Sequence, residues 1–178
     1  MRIILIGAPG SGKSVVARTL SRSLHIPVIS IGQKLRDLVE GTPSPESEAA
    51  RHALETGELI PDYLAIKLFK EELAQVDPER GFLVDGLPRT IGEARMINGL
   101  FSINRVFHLR VAPSLAFQRL LRRGRVDDLP ERIQRRIDIY TENITPILAF
   151  YKSMGVLVEA DASSSISDAA REVMSKLQ

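Results

Sequence analysis

The 178-residue chain contains no cysteine, which excludes disulfides and thiolate metal sites, a structural zinc finger among them. The absence is compatible with a reducing compartment, and a cytoplasmic location is expected. There are only three histidines, His25, His52 and His108. None has a partner at metal-ligand spacing, so packing roles are expected for all of them. No apolar run is long enough to span a bilayer. The run Ile3-Ile4-Leu5-Ile6 lacks the basic leader of a signal peptide and is cut short by glycine, so it reads as a core strand. A formal net charge of +2 supplies no global field to recruit nucleic acid. No Asn/Thr-Lys-x-Asp guanine-reading motif, internal repeat or low-complexity segment is present, which argues against a GTPase switch.

What is present begins with Gly7-Ala8-Pro9-Gly10-Ser11-Gly12-Lys13-Ser14, a match at every fixed position to the phosphate-cradling pattern G-x-x-x-x-G-K-[ST]. Glycines let the backbone turn tightly and aim several N–H groups at one phosphate. Lys13 adds a movable positive charge at the β/γ-phosphates, and the Ser14 hydroxyl is placed to ligand Mg²⁺. The helix that follows offers unpaired N–H groups and the positive end of its dipole.

Strand and helix signals alternate along the rest of the chain. Strands are expected at Val28 to Ser30, Phe82 to Val84, Val106 to Leu109 and Val156 to Val158, besides the N-terminal one. Ser44 followed by Pro45 reads as an N-cap with proline at the first helical position, Asp62 as the cap of a helix running to about Gln75, and Ser165 with Asp168 as a capping box. The helix from Pro130 to Lys152 should kink or break at Pro146. This pattern predicts a single α/β domain with a five-stranded parallel sheet covered on both faces. Asp85-Gly86-Leu87-Pro88-Arg89 stands at the end of its third strand, where open α/β sheets place ligands.

The densest positive region holds Arg119, Arg122, Arg123, Arg125, Arg132, Arg135 and Arg136, interrupted by Asp127, Asp128 and Glu131. A solvated face accounts for Arg122, Arg132 and Arg135. Arg123 and Arg125 flank Gly124, a bend that could swing guanidinium forks over a phosphate.

Four motifs in this order resemble the adenylate kinase family of nucleoside monophosphate kinases: the phosphate loop, Ser30-Ile31-Gly32-Gln33-Lys34-Leu35-Arg36, Asp85-Gly86-Leu87-Pro88-Arg89-Thr90, and Arg125-Val126-Asp127-Asp128 with Arg136. The resemblance implies a three-layer α/β/α phosphate-loop fold with a helical acceptor-binding insertion at about 31–75 and a lid reduced to about 123–127. It implies transfer of the γ-phosphoryl of Mg-ATP to a nucleoside monophosphate, with AMP the first expectation. Gly7 to Ser14 and Arg119 would bind ATP, and Arg36, Gly86 and Arg89 the acceptor phosphate. Gly57, Leu59 and Ile60 would form part of the acceptor-base wall. Arg123, Arg125 and Arg136 would lie against the phosphoryl group in flight, and Asp85 would serve the Mg²⁺ side together with Ser14. Nucleotides are the expected partners, without nucleic acid or membrane, and a monomer is expected.

No general base is required, because a monophosphate with a second pKa near 6 is already largely ionised at neutral pH. A kinase for a small alcohol would need a positioned carboxylate, and remains the enzymatic rival. A nucleotide-binding sensor without turnover is the other alternative.

The chain departs from the family pattern in four places. Ser14-Val15 replaces the usual glycine and threonine, Ile31 and Gln33 replace threonine and aspartate, and only Gly124 separates Arg123 from Arg125. The fourth is Glu93, where the family carries an adenine-reading glutamine. An ionised carboxylate can only accept hydrogen bonds, which suits guanine's N1–H and N2–H₂ better than adenine's N1. GMP or another non-adenine acceptor is therefore the alternative to AMP. The short lid predicts weak exclusion of water and ATP hydrolysis without acceptor.

Overall fold

The computed structural model describes residues 1–177. Its sheet is built from β1 (Arg2–Gly7), β2 (Val28–Ser30), β3 (Phe82–Asp85), β4 (Arg105–Arg110) and β5 (Leu157–Asp161), in the order β2-β3-β1-β4-β5 and parallel throughout. The helices are α1 (Lys13–Leu24), α2 (Ile31–Glu40), α3 (Pro45–Thr56), α4 (Asp62–Leu73), α5 (Ile91–Leu100), α6 (Pro113–Arg123), α7 (Pro130–Ser153) and α8 (Ile166–Ser175).

The unbroken apolar run of β1 follows from burial on both faces. Ile4 and Ile6 join one core with Val84, Phe82, Phe69 and Tyr151, under α4, α5 and α7. Ile3 and Leu5 face the other, with Leu83, Phe107, Val16, Leu20 and Val173, under α1 and α8. Removal of these side chains from water supplies most of the drive to fold, at roughly 25 cal/mol per Å² of apolar area.

The elements follow the sequence signals closely, with three differences. Asp62 is the first residue of α4, behind Pro61, and it does not cap the helix. Its carboxylate accepts from the Thr90 hydroxyl at 2.9 Å, tying α4 to the loop that follows β3. α7 runs through Pro146 without the expected break. Pro146 and Glu142 are both exposed, so the carbonyl that loses its helical donor can turn to water. β5 extends to Asp161 because β4 pairs with it as far as Arg110↔Asp161. The Ser44 cap forms as read, its hydroxyl accepting from the Ser47 amide at 3.1 Å while the Ser47 hydroxyl accepts from the Ser44 amide at 2.9 Å. Ser165 likewise accepts from the Asp168 amide at 3.0 Å.

Candidate active site

The carboxyl ends of β1, β2 and β3 open into a cleft of about 560 Å³. The phosphate loop enters it directly from β1. Gly10 and Gly12 hold φ of 85° and 90°, and a Cβ on Gly10 would stand 2.4 Å from the Ala116 carbonyl oxygen. Both the left-handed backbone and the missing side chain are therefore needed at Gly10. Gly10→Ala should cost on the order of 2 kcal/mol or more, since backbone strain and a backbone clash act together. A denaturant midpoint unchanged from wild type would refute this.

Lys13 folds back over the loop, donating to the Gly7 carbonyl at 2.5 Å and the Ala8 carbonyl at 2.9 Å. Burial pushes its amine down to about 8, against the attraction of Asp85, while Arg89 and Arg123 press in the same direction as burial. Beside it the Ser14 hydroxyl donates to Asp85 Oδ2 at 2.6 Å. Asp85 is 5% exposed and ends β3, where its strand pairs with β1 at Leu5 and with β2 at Ser30.

A hydroxyl and a carboxylate in contact are a donor set suited to Mg²⁺, which takes oxygen ligands and completes its shell with water and substrate phosphates. Among the described residues no group of three His, Cys, Asp or Glu could hold a metal unaided. Ser14 and Asp85 therefore fit a metal that arrives with a polyphosphate.

Arg89 and Arg36 meet in the same cleft. The point where a Cβ on Gly32 would stand lies 3.9 Å from Arg36 Nη1 and 4.0 Å from Arg89 Nη2. Arg89 Nε donates to the Gly86 carbonyl at 2.9 Å, which leaves the outer nitrogens of its fork uncommitted. Arg36 Nη2 donates to Gln33 Oε1 at 2.7 Å. Gly57, Glu58 and Leu59 also line the cleft, with the apolar Leu35, Ala53 and Leu54, which spacing alone did not reveal.

The third group surrounds the bend between α6 and α7. Asp128, buried at 7% exposure, accepts from Arg123 Nε at 2.8 Å and Nη2 at 2.7 Å, from Arg136 Nη2 at 2.9 Å, and from the Arg125 amide at 3.2 Å. Arg136 also pairs with Asp127 at 3.0 Å. Although its burial opposes ionisation, hydrogen bonds from Arg123 and Arg136 hold the Asp128 carboxyl below the usual aspartate range. The sequence reading treated these aspartates as interruptions of a basic run, yet they organise it. Arg119 reaches elsewhere, donating to the carbonyls of Ala162 at 2.7 Å and Ser164 at 2.9 Å, and so straps α6 to the loop before α8.

The cleft brings together Gly7, Pro9, Gly10, Gly12, Lys13, Ser14, Arg36, Gly57, Leu59, Asp85, Gly86, Arg89, Arg119, Arg123, Arg125 and Arg136. Ala8, Ser11, Ile31 and Ile60 are buried beneath it and are not among its lining residues. Glu93 is also absent from the lining: it is 1% exposed, and its carboxylate accepts from the backbone N–H of Arg89. Burial raises its carboxyl above the ordinary glutamate range, with the Arg89 amide and charge opposing the rise. The expected reading of a guanine edge by Glu93 therefore finds no support, because the side chain is turned away from the cleft and used by the backbone.

The family model described as adenylate kinase matches residues 5–156. Similar curated proteins carry the same name. Adenylate kinase of Xylella fastidiosa (strain 9a5c) is 31% identical across 98% of this chain and 97% of its own length. Adenylate kinase of Xanthomonas campestris pv. campestris (strain B100) is 33% identical across 97% of each. That of Xanthomonas oryzae pv. oryzae (strain MAFF 311018) is 33% identical across 99% of each.

Proposed function

This chain belongs to the adenylate kinase family, and on that premise we propose that it transfers the γ-phosphoryl of Mg-ATP to AMP, giving two ADP. Membership makes it an enzyme, a nucleoside monophosphate phosphotransferase. The name of the relatives, adenylate kinase, supports AMP as the acceptor, and the one side chain that argued for guanine is occupied elsewhere. The observation that carries the reading is the approach of Arg36 and Arg89 to one another in the single cleft that also holds Lys13 and the Ser14–Asp85 pair.

In this reading the loop amides and Lys13 hold the ATP phosphates, and Arg36 and Arg89 hold the acceptor phosphate in line with them. Catalysis is then positioning and charge stabilisation, as phosphoryl transfer requires. Mg²⁺ entering with ATP would be held by Ser14 and Asp85, where it would neutralise polyphosphate charge. Arg123 keeps Nη1 free while bound to Asp128, so it can reach a phosphoryl oxygen without leaving its partner. Arg136 spends all three guanidinium nitrogens on Arg132, Asp127 and Asp128 and must shift to do the same.

The insertion at about 31–75 is read as the acceptor-binding part and the bend at about 123–127 as a minimal lid. The partners are nucleotides, and the cleft needs no second chain, which favours a monomer. A cytoplasmic location accords with the cysteine-free chain. Among the described residues no helix is long and apolar enough to cross a membrane.

A coupled assay with Mg-ATP against AMP, GMP, CMP and UMP tests the reading. AMP should lead the others in kcat/KM by tenfold or more. Diphosphate formed from none of them would overturn the function, and a faster reaction with GMP would overturn the acceptor. The acceptor-free blank should show measurable ATP hydrolysis, because so short a bend excludes water poorly; a blank at background would refute the minimal-lid account.

A further inference from the structure

The carboxylate of Glu93 is buried, does not line the cleft and accepts from the backbone N–H of Arg89. We propose that Glu93 is a positioning residue for Arg89, acting on the acceptor phosphate through that arginine instead of reading the acceptor base. The inference rests on the acceptor-phosphate role given to Arg89 above.

Arg89 is held at two points. At its main chain, Glu93 accepts the N–H of the residue before the α5 cap; at its side chain, Nε is fixed on the Gly86 carbonyl at 2.9 Å. Only the outer fork is left, pointing toward Gly32 and Arg36, where a phosphate would be gripped by two guanidinium groups.

Glu93 is itself fixed from behind. Thr90 caps α5 by accepting the Glu93 amide at 3.1 Å, and its hydroxyl donates to Asp62 on α4 at 2.9 Å. A continuous line therefore runs from the acceptor helices through Thr90 and Glu93 to Arg89. The arrangement resembles a capping box in which the carboxylate reaches back to the amide before the cap as well.

Charge matters as well as geometry. Arg89 is burdened by burial and by the like charges of Arg136 and Arg36, with Glu93 and Asp85 acting against them. Glu93 is the counter-charge on the acceptor side that is free of the Ser14 contact, and a neutral residue there would let Arg89 relax away from Arg36.

The test separates phosphate from base. Ribose 5-phosphate and adenosine each carry half of AMP, and both can be measured as competitors of AMP in the coupled assay with wild type, Glu93→Ala and Glu93→Gln. Glu93→Ala removes acceptor and charge, and should raise the KM for AMP and the Ki of ribose 5-phosphate by about tenfold. Glu93→Gln keeps an acceptor for the Arg89 amide, and should raise the Ki of ribose 5-phosphate by about threefold. In both, the Ki of adenosine and the KM for ATP should stay within twofold of wild type. A shift of the adenosine Ki matching that of ribose 5-phosphate, or a ribose 5-phosphate Ki unmoved in Glu93→Gln, overturns the proposal. Should Glu93→Ala fail to fold, the glutamine variant decides alone. Wild type that does not phosphorylate AMP is a failure of the function reading, whereas normal wild-type turnover with an unmoved ribose 5-phosphate Ki is a failure of this inference only.

Discussion

Lys13→Met should lower kcat on the order of 10³-fold while leaving the protein as stable as wild type or more so. The two expectations share one cause. The amine is buried against loop carbonyls and its charge is disfavoured, which is why its pKa is held down to about 8. A methionine stem of similar length removes that cost, and the thermal midpoint should not fall. Turnover loses a charge aimed at the developing negative charge of the transferring group, and deleting one such preorganised donor typically costs 10²- to 10³-fold. A fall in activity that tracked a fall in melting temperature would show instead that the variant had unfolded. The same residue sets a pH dependence. On the proposed function, protonated Lys13 is the form that receives ATP, so kcat/KM for ATP should fall as pH rises past about 8. Bound phosphates restore the proton's favour, so kcat itself should hold to higher pH. A kcat/KM profile flat from pH 7 to 9.5 would contradict this.

Asp128→Asn should destabilise the fold by about 2 to 3 kcal/mol at pH 7. Removing one partner from a fully buried ion pair costs roughly 3 to 5 kcal/mol. The Arg123 and Arg136 side chains are 34% and 21% exposed, so water screens part of the loss. Asparagine retains the size but turns an N–H₂ toward one guanidinium, donor against donor. The sign with pH follows from the depressed carboxyl. A group whose folded value lies below its unfolded value stabilises above the unfolded value, near 4, and loses that contribution as pH falls through the folded one. The gap between wild type and Asp128→Asn in urea midpoint should therefore be full at pH 7 and narrow below about pH 4. A gap as wide at pH 3 as at pH 7 would mean that size or packing, and not charge, supports the bend.

The order of strands and helices was legible because each signal is local. Gly and Pro punctuate the chain, apolar spacing marks the elements between them, and β1 reads as a continuous apolar run because its neighbours in the sheet bury it on both faces. Two readings failed where another group claimed the carboxylate, a distant one in one case and the preceding turn in the other. Asp62 looked like a cap until Thr90 claimed its carboxylate, and Glu93 looked like a base reader until the Arg89 amide claimed its own. Ile60, expected in the acceptor-base wall, and Ile31, expected near the acceptor base, lie in the core, whereas Leu35, Ala53, Leu54 and Leu59 line the cleft.

The sequence by itself marked Gly7 to Ser14 as a phosphate-cradling loop, since loop, lysine and hydroxyl are contiguous and the pattern needs no partner from elsewhere. It also marked which arginines to watch. Only the tertiary structure decided which partner each of them takes. Arg119 straps a loop, Arg123 and Arg136 rest on Asp128, and Arg36 and Arg89 are left facing one another near Gly32. A guanidinium reaches several ångströms from its Cα and takes whichever carboxylate or carbonyl the packing brings within range. Its role is therefore fixed by the fold around it, whereas a glycine loop carries its role in its own backbone.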